Sequence, residues 1–293
     1  MNCVLYYIVL LPLSKFPFGM MYGLSNFLAF ILRRVIKYRK KVIRKNLNNS
    51  FPDYTVKQIN DIERKFYRHL ADIFLEGIKN LSMRKSEVMR RYRCKNPEIL
   101  AHYSDRSVIL VSSHYNSWEW MVLSLELQFS HHGIGVGAPI RNQYLDKKIN
   151  AGRTKFGTEV VFASNVRDTF ETYLHENRPC TYMMLFDQFH NPKKSYWTTF
   201  LNQDTGFIYG PEYFAKKYDL PVFYYSVQKV KRGYYEFELF PITDQPNACE
   251  YGEIIEKCVR HLEKDIIVHP EFWLWSHNRW KNSGACVAEI RKQ

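Results

Sequence analysis

The sequence predicts an α/β fold: a mixed, mainly parallel sheet flanked by helices, with an N-terminal hydrophobic helical segment of the membrane-anchoring kind. Three observations carry this. Strand-length apolar runs alternate with segments of helical period between residues 107 and 275, the pattern of a parallel sheet covered on both faces. One stretch, from Val108 to Leu125, runs from an apolar strand through a polar turn containing His114 into a helix. There Trp118, Met121, Val122 and Leu125 fall at i, i+3, i+4 and i+7. Residues 3–32 are almost entirely apolar, and a dense basic segment follows at once.

The apolar stretch is broken by Lys15, with Pro12 and Pro17 on either side. No basic region precedes it and no small-residue cleavage site follows, which argues against a cleaved signal peptide. The pieces 3–14 and 17–32 each fall short of the roughly 20 residues that span a bilayer. Together they are long enough, as one kinked span or as a shallow re-entrant anchor in one leaflet. A pair of buried core helices is the alternative. Next come Arg33, Arg34, Lys37, Arg39, Lys40, Lys41, Arg44 and Lys45, a cytoplasmic-side signature also attracted to anionic headgroups. A solvated basic face or a nucleic-acid contact fits those charges too, but the latter leaves the apolar stretch unexplained.

Asn48 to Tyr54 reads as a turn, and residues 55–79 and 84–93 as helices. Thr55 is the expected N-cap, with Ile59, Ile62, Phe66, Leu70, Ile73 and Phe74 as the apolar stripe. Lys95-Asn96-Pro97 is a linker, so the expected division is 1–32 as anchor, 33–94 as basic helical region and 95–293 as α/β catalytic domain. Strands are expected at 107–112, 133–138, 158–162, 180–186, 220–228, 234–240 and 272–275, and helices at 118–129, 144–156, 166–176, 209–218 and 250–264. The run 234–240 reads as an antiparallel hairpin partner of 220–228.

Composition narrows the partners. Aromatics make up 16%, with 21 Tyr and 20 Phe, which points to contact with something greasy. A formal charge of +13 implies an anionic partner: nucleic acid, acidic membrane or phosphorylated substrate. The six cysteines (Cys3, Cys94, Cys180, Cys249, Cys258, Cys286) show no zinc-type spacing and read as reduced thiols. No G-x-S-x-G occurs, so the hydrolase elbow is missing.

His114 and Glu119 are five residues apart, which on one continuous helix places them roughly 140° apart. They meet only if His114 sits in the turn and Glu119 in the first helical turn, with Asn116 or Ser117 as N-cap. Glu119 would then fix the tautomer of His114 and leave its other nitrogen to take a proton from a hydroxyl. Asn116 and Glu119 equally make a capping box with no chemistry at all.

Several segments together resemble the bacterial lipid A biosynthesis acyltransferases, the late (secondary) enzymes of lauroyl and myristoyl type within the lysophospholipid acyltransferase superfamily. The resemblance runs over nearly the full length. It comprises the apolar N-terminus, Arg39-x-x-Val42-x-x-Asn46-Leu47 leading to Phe51-Pro52, and His114-x-x-x-x-Glu119. Pro139-Ile140-Arg141 follows with Leu145-Asp146 and Arg153, then Asp187-Gln188, the region from Thr199-Phe200 to Gly210, and Trp275-Ser-His277-Asn-Arg279-Trp280-Lys281. It implies transfer of a fatty acyl chain from an acyl carrier protein thioester, or coenzyme A, to a hydroxyl of an acylated glucosamine phospholipid. His114 would be the general base and Glu119 its orienting partner, with no covalent acyl-enzyme, cofactor or metal. Arg141 matches the arginine facing the thioester carbonyl or a substrate phosphate. Asp187, Gln188, Arg153, His277 and Arg279 are the further expected substrate contacts. Asp187 either binds substrate, braces Arg141 or Arg153, or caps a loop.

The resemblance implies the cytoplasmic face of a bacterial inner membrane, with anionic headgroups and no nucleic acid as partners. Two departures bear on acyl length and acceptor more than on reaction type. Phe200-Leu-Asn202-Gln203 replaces a Phe-x-Gly turn, with Gly206 and Gly210 left to supply flexibility, and Asn278 interrupts a usual His-Arg-Arg. A lysophospholipid or amino-acid lipid as acceptor is the competing enzymatic reading. A non-catalytic basic membrane- or nucleic-acid-binding protein is the competitor from another class.

Overall fold

The computed structural model describes residues 2–188 and 191–281. Its strands, in chain order, are β1 (Tyr92–Cys94), β2 (Val108–Ser112), β3 (His132–Gly137), β4 (Glu159–Phe162), β5 (Cys180–Leu185), β6 (Ser195–Phe200), β7 (Gln203–Ile208), β8 (Val222–Lys231) and β9 (Tyr234–Thr243). Seven of them form one sheet in the order β1-β9-β8-β2-β5-β3-β4, and β6 pairs with β7 in a separate ribbon. From β8 to β4 every neighbouring pair is parallel, while β9 returns antiparallel to β8.

The middle of the sheet is apolar on both faces, and the two-residue period of a strand sorts its side chains into two cores. Ile109 and Val111 join Tyr182, Met184 and Tyr224 on one side. Val108 and Leu110 join Met183, Phe223 and Tyr225 on the other. Helix Trp118–Gln128 seals the second face with Trp120, Met121, Leu123 and Leu125. Helices Val166–His175, Gly210–Tyr218 and Glu253–Val268 help seal the first. Close approach of helix Trp118–Gln128 to β3 depends on glycine, because a Cβ on Gly135 would stand 2.9 Å from Val122 Cγ1.

Most expected elements recur within a few residues of their sequence bounds, but the run 272–275 does not join the sheet. Pro270–Phe272 is a 3₁₀ turn, and the chain beyond it crosses the loop after β2 with one bridge, Tyr115 to Trp273. The β6–β7 hairpin has no turn signature in the sequence, because its turn carries no glycine: Leu201 and Asn202 both take positive φ, 49° and 62°. Gly206 lies within β7 and Gly210 opens the next helix, so neither makes this turn.

Helix Val56–Lys79 begins with a capping box between Thr55 and Gln58. Of its apolar stripe, Ile59, Ile62, Phe66 and Ile73 are buried, while Leu70 is half-buried and Phe74 is 59% exposed. The apolar N-terminus folds as short helical pieces broken at Phe16 and Pro17, both extended. Among the described residues no helix is long and apolar enough to cross a membrane, so the expected anchoring segment gains no support from helix length. Helix Phe18–Phe30 instead lies on Val56–Lys79. It buries Phe18, Met21, Ser25 and Ala29 and exposes Met20, Leu24, Phe27 and Phe30. Cys286 lies outside the described residues; the other five cysteines are free thiols.

Candidate active site

β2 and β5 are adjacent and parallel, with Ser112 opposite Leu185. The chain leaves both strands at the same end, and two residues further on each path stand His114 and Asp187. His114 Nδ1 lies 2.7 Å from Asp187 Oδ1, and the same oxygen accepts the His114 backbone N–H at 3.1 Å. The other carboxylate oxygen accepts the Trp273 indole N–H at 3.0 Å. Three donors therefore converge on one buried carboxylate. Burial alone would raise the Asp187 carboxyl, but His114, the charge of Arg279 and the Trp273 bond outweigh it and bring it down to about 2. An ionised carboxylate on Nδ1 leaves the lone pair of the neutral imidazole on Nε2.

The loop is rigidly held. Asn116, at φ 58°, donates its side-chain amide to the Val227 carbonyl at 2.7 Å, and its backbone N–H goes to Phe272. Leu274 N–H donates to the His114 carbonyl, and the Trp118 ring meets the imidazole edge-on at 5.2 Å. His114 stays 21% exposed and lines a cavity of about 230 Å³ with Trp118, Glu119, Gly137, Arg153 and Leu185. A second, apolar cavity of about 250 Å³ is lined by Leu10, Leu70, Ile73, Phe74, Ile78 and Leu274 among others. The two share Trp118, Glu119 and Arg153 as a common wall.

That wall corrects the expected pairing. Glu119 does line the cavity with His114, but both its oxygens are held by Arg153, from Nε at 2.8 Å and Nη2 at 2.6 Å. Arg153 also donates Nη1 to Asn150. Thus Glu119 fixes an arginine, and the acid on the imidazole is Asp187, expected as a substrate contact, a brace for arginine or a loop cap. Both sit where helix and strand ends require: Glu119 in the first turn of its helix, Arg153 in the last turn of helix Gln143–Arg153. Arg141 is exposed on the loop before that helix, and Gln188 is half-buried directly after Asp187.

The C-terminal motif turns inward. Arg279 is buried, donates to the Gly206 carbonyl and lies 4.6 Å over the Phe207 ring, so it is not an open headgroup contact. Burial pushes its guanidinium down to about 10, while Asp187 pulls it up. His277 is half-buried, and its backbone carbonyl accepts the Asn46 amide at 3.0 Å. Trp273 was not among the expected site residues. Its signal was weak: an indole donor that needs a buried partner, near the chain's end. The Asp187 pairing was findable from the rule that α/β sites gather at carboxyl ends of neighbouring strands.

Fold and site define an α/β protein with a histidine–carboxylate pair opening on a cavity that adjoins an apolar one. A profile of the bacterial lipid A biosynthesis acyltransferases matches residues 2–282, nearly the whole chain, and the chain belongs to that family. A comparison with curated individual proteins gave no match.

Proposed function

We propose that the protein moves a fatty acyl chain from an acyl carrier protein or coenzyme A thioester to a hydroxyl of a lipid A precursor. The observation that carries this is the 2.7 Å bond between His114 Nδ1 and Asp187, in a cavity that shares a wall with an apolar one. In this reading His114 Nε2 takes the acceptor's hydroxyl proton as the oxygen attacks the thioester carbonyl carbon. The tetrahedral intermediate collapses, the carbon–sulfur bond breaks, and the thiolate recovers the proton from the imidazolium. Asp187 steadies that imidazolium by charge and holds the ring in one tautomer.

Arg153, fixed by Glu119, keeps positive charge and unused N–H donors in the cavity wall, placed for the developing oxyanion or a substrate phosphate. Arg141, Gln188 and His277 serve as further substrate contacts nearer the surface. The apolar cavity lined by Leu10, Leu70, Ile73, Phe74 and Ile78 takes the acyl chain. Each methylene transferred there from water is favourable by about 0.8 kcal/mol. The exposed Met20, Phe27, Phe30 and Phe74 support seating at a bilayer's edge, on the cytoplasmic face of the inner membrane.

The test supplies purified protein with acyl carrier protein thioesters and a tetra-acylated lipid A precursor. His114→Ala is expected to lower turnover about 10²- to 10⁴-fold. Full turnover by that variant removes the proposed role. Deletion-strain lipids with unchanged lipid A and altered phospholipid would assign the acceptor elsewhere.

A further inference from the structure

A third cavity, of about 520 Å³, lies between helix Phe18–Phe30 with its extension Ile31–Val35 and helix Val56–Lys79. It shares no lining residue with the two cavities at His114. On helix Val56–Lys79, Arg64 and Arg68 point roughly 140–180° around the axis from Ile73 and Gly77, which face the apolar cavity. Four arginines line it: Arg33, Arg34, Arg64 and Arg68. The nearby carboxylates are each shared between two cations. Glu63 holds Arg33 and Arg44, and Asp61 holds Arg64 and Lys65. Positive charge is therefore left over, and no ion pair joins Arg34 or Arg68 to a carboxylate among the described residues.

We propose that this cavity docks the phosphate of an anionic glycerophospholipid belonging to the bilayer surface. Guanidinium forks match phosphate oxygens two at a time. The rim decides the source of that phosphate. Phe30 lines the cavity at 58% exposure, and Phe27, Val35 and Ile36 stand 60%, 65% and 61% exposed close by in the chain. A small soluble anion would leave this apolar rim in water, whereas a membrane lipid covers it with acyl chain while its headgroup meets the arginines. The inference deepens the bilayer-edge reading above by assigning one headgroup site, apart from the reacting groups.

The experiment is vesicle sedimentation of the full chain, on phosphatidylcholine alone and on phosphatidylcholine with a third phosphatidylglycerol. No acyl donor or acceptor is present, so the result is independent of whether His114 is the base. Each basic side chain near an anionic surface strengthens attachment about fivefold. The double variant Arg34→Ala/Arg68→Ala should therefore lose about thirtyfold on the anionic vesicles and little on phosphatidylcholine. A charge-matched control, Arg90→Ala/Arg167→Ala, should lose far less. Equal loss in both doubles would mean diffuse attraction only and would overturn the site. So would unchanged vesicle binding with a raised KM for the phosphorylated acceptor, which would assign the cavity to substrate. Matching circular dichroism and melting curves establish that each variant is folded.

Discussion

Replacing Asp187 by asparagine tests the site most directly. The carboxylate accepts three hydrogen bonds and donates none: His114 Nδ1–H and backbone N–H on Oδ1, and the Trp273 indole on Oδ2. Asparagine keeps the size but turns one oxygen into an NH₂. With the amide oxygen toward His114, the NH₂ faces the indole N–H, donor against donor. Flipped, the NH₂ faces the His114 backbone N–H and forces Nδ1 to become the acceptor. The proton then moves to Nε2, the atom that must be bare to act as base.

Either arrangement leaves buried donors unmatched, at a cost of about 1–3 kcal/mol in stability. Loss of tautomer control and imidazolium stabilisation in a comparable histidine–aspartate pair lowers kcat about 10⁴-fold. The assay is steady-state acyl transfer with thioester and acceptor varied separately, beside urea unfolding. A fall of 10³-fold or more in kcat, with near-unchanged KM, is the expected result. Glu119→Gln is the companion measurement. It breaks the paired arginine geometry, not the imidazole's support, so its effect should fall on KM or on a smaller part of kcat. If Asp187→Asn keeps wild-type kcat while Glu119→Gln loses 10³-fold, the assignment of Asp187 to the histidine is refuted and the spacing-based pairing is restored.

Three further outcomes follow from the same geometry. Asp187 is depressed from its ordinary 3.8 to about 2, so its stabilisation is complete above pH ~4 and is lost as pH falls through 2. Acid unfolding of the wild type should therefore show a component of about 2 kcal/mol across that window that Asp187→Asn lacks. Gly137 lines the His114 cavity and a Cβ there meets nothing within 4 Å. Gly137→Leu should raise KM or lower turnover with less than about 1 kcal/mol change in unfolding free energy. Gly233 turns β8 into β9 at φ 72°, and a Cβ there would stand 1.9 Å from the Tyr22 hydroxyl. Gly233→Ala should cost about 2–4 kcal/mol in urea unfolding from strain and clash, and a loss under 0.5 kcal/mol would contradict that packing.

The strands β2 and β5 and the first half of β8 were legible because their residues are mostly apolar on both faces, and a parallel sheet buries both. β1, β6 and β7 were not. β1 is three residues added to an edge, and the β6–β7 turn relies on Leu201 in a conformation that sequence rules reserve for glycine or asparagine. His114 was legible as a polar residue at a strand end. Its partner was misassigned because spacing along a chain reports only local neighbours, and Asp187 lies 73 residues away. Arg279 was legible as a motif residue expected to contact substrate, but its burial was not, because sequence carries no burial: its ring contacts with Phe207 and Trp273 place it inside.

The apolar N-terminus shows most plainly what a hydropathy pattern leaves out. Helix Phe18–Phe30 is apolar on all sides, so hydrophobic packing alone gives it no preferred rotation about its axis. Polar pins supply one. Ser25 donates to Asp72 at 2.6 Å, and the Tyr22 hydroxyl donates to Glu76 at 2.9 Å. Both acids are buried on helix Val56–Lys79. Arg232, at the hairpin turn, grips Asp72 and also reaches the Tyr22 carbonyl and Asn26, so the β8–β9 hairpin fixes the same helix from a third side. Buried polar groups left unmatched by rotation would each cost about 1–3 kcal/mol, more than sliding one apolar side chain past another. The rotation is thereby set, and it turns Met20, Leu24, Phe27 and Phe30 outward. An apolar surface held outward by buried charge is a different object from a core helix. The two serve the same hydropathy profile, and only the carboxylates on the neighbouring helix distinguish them.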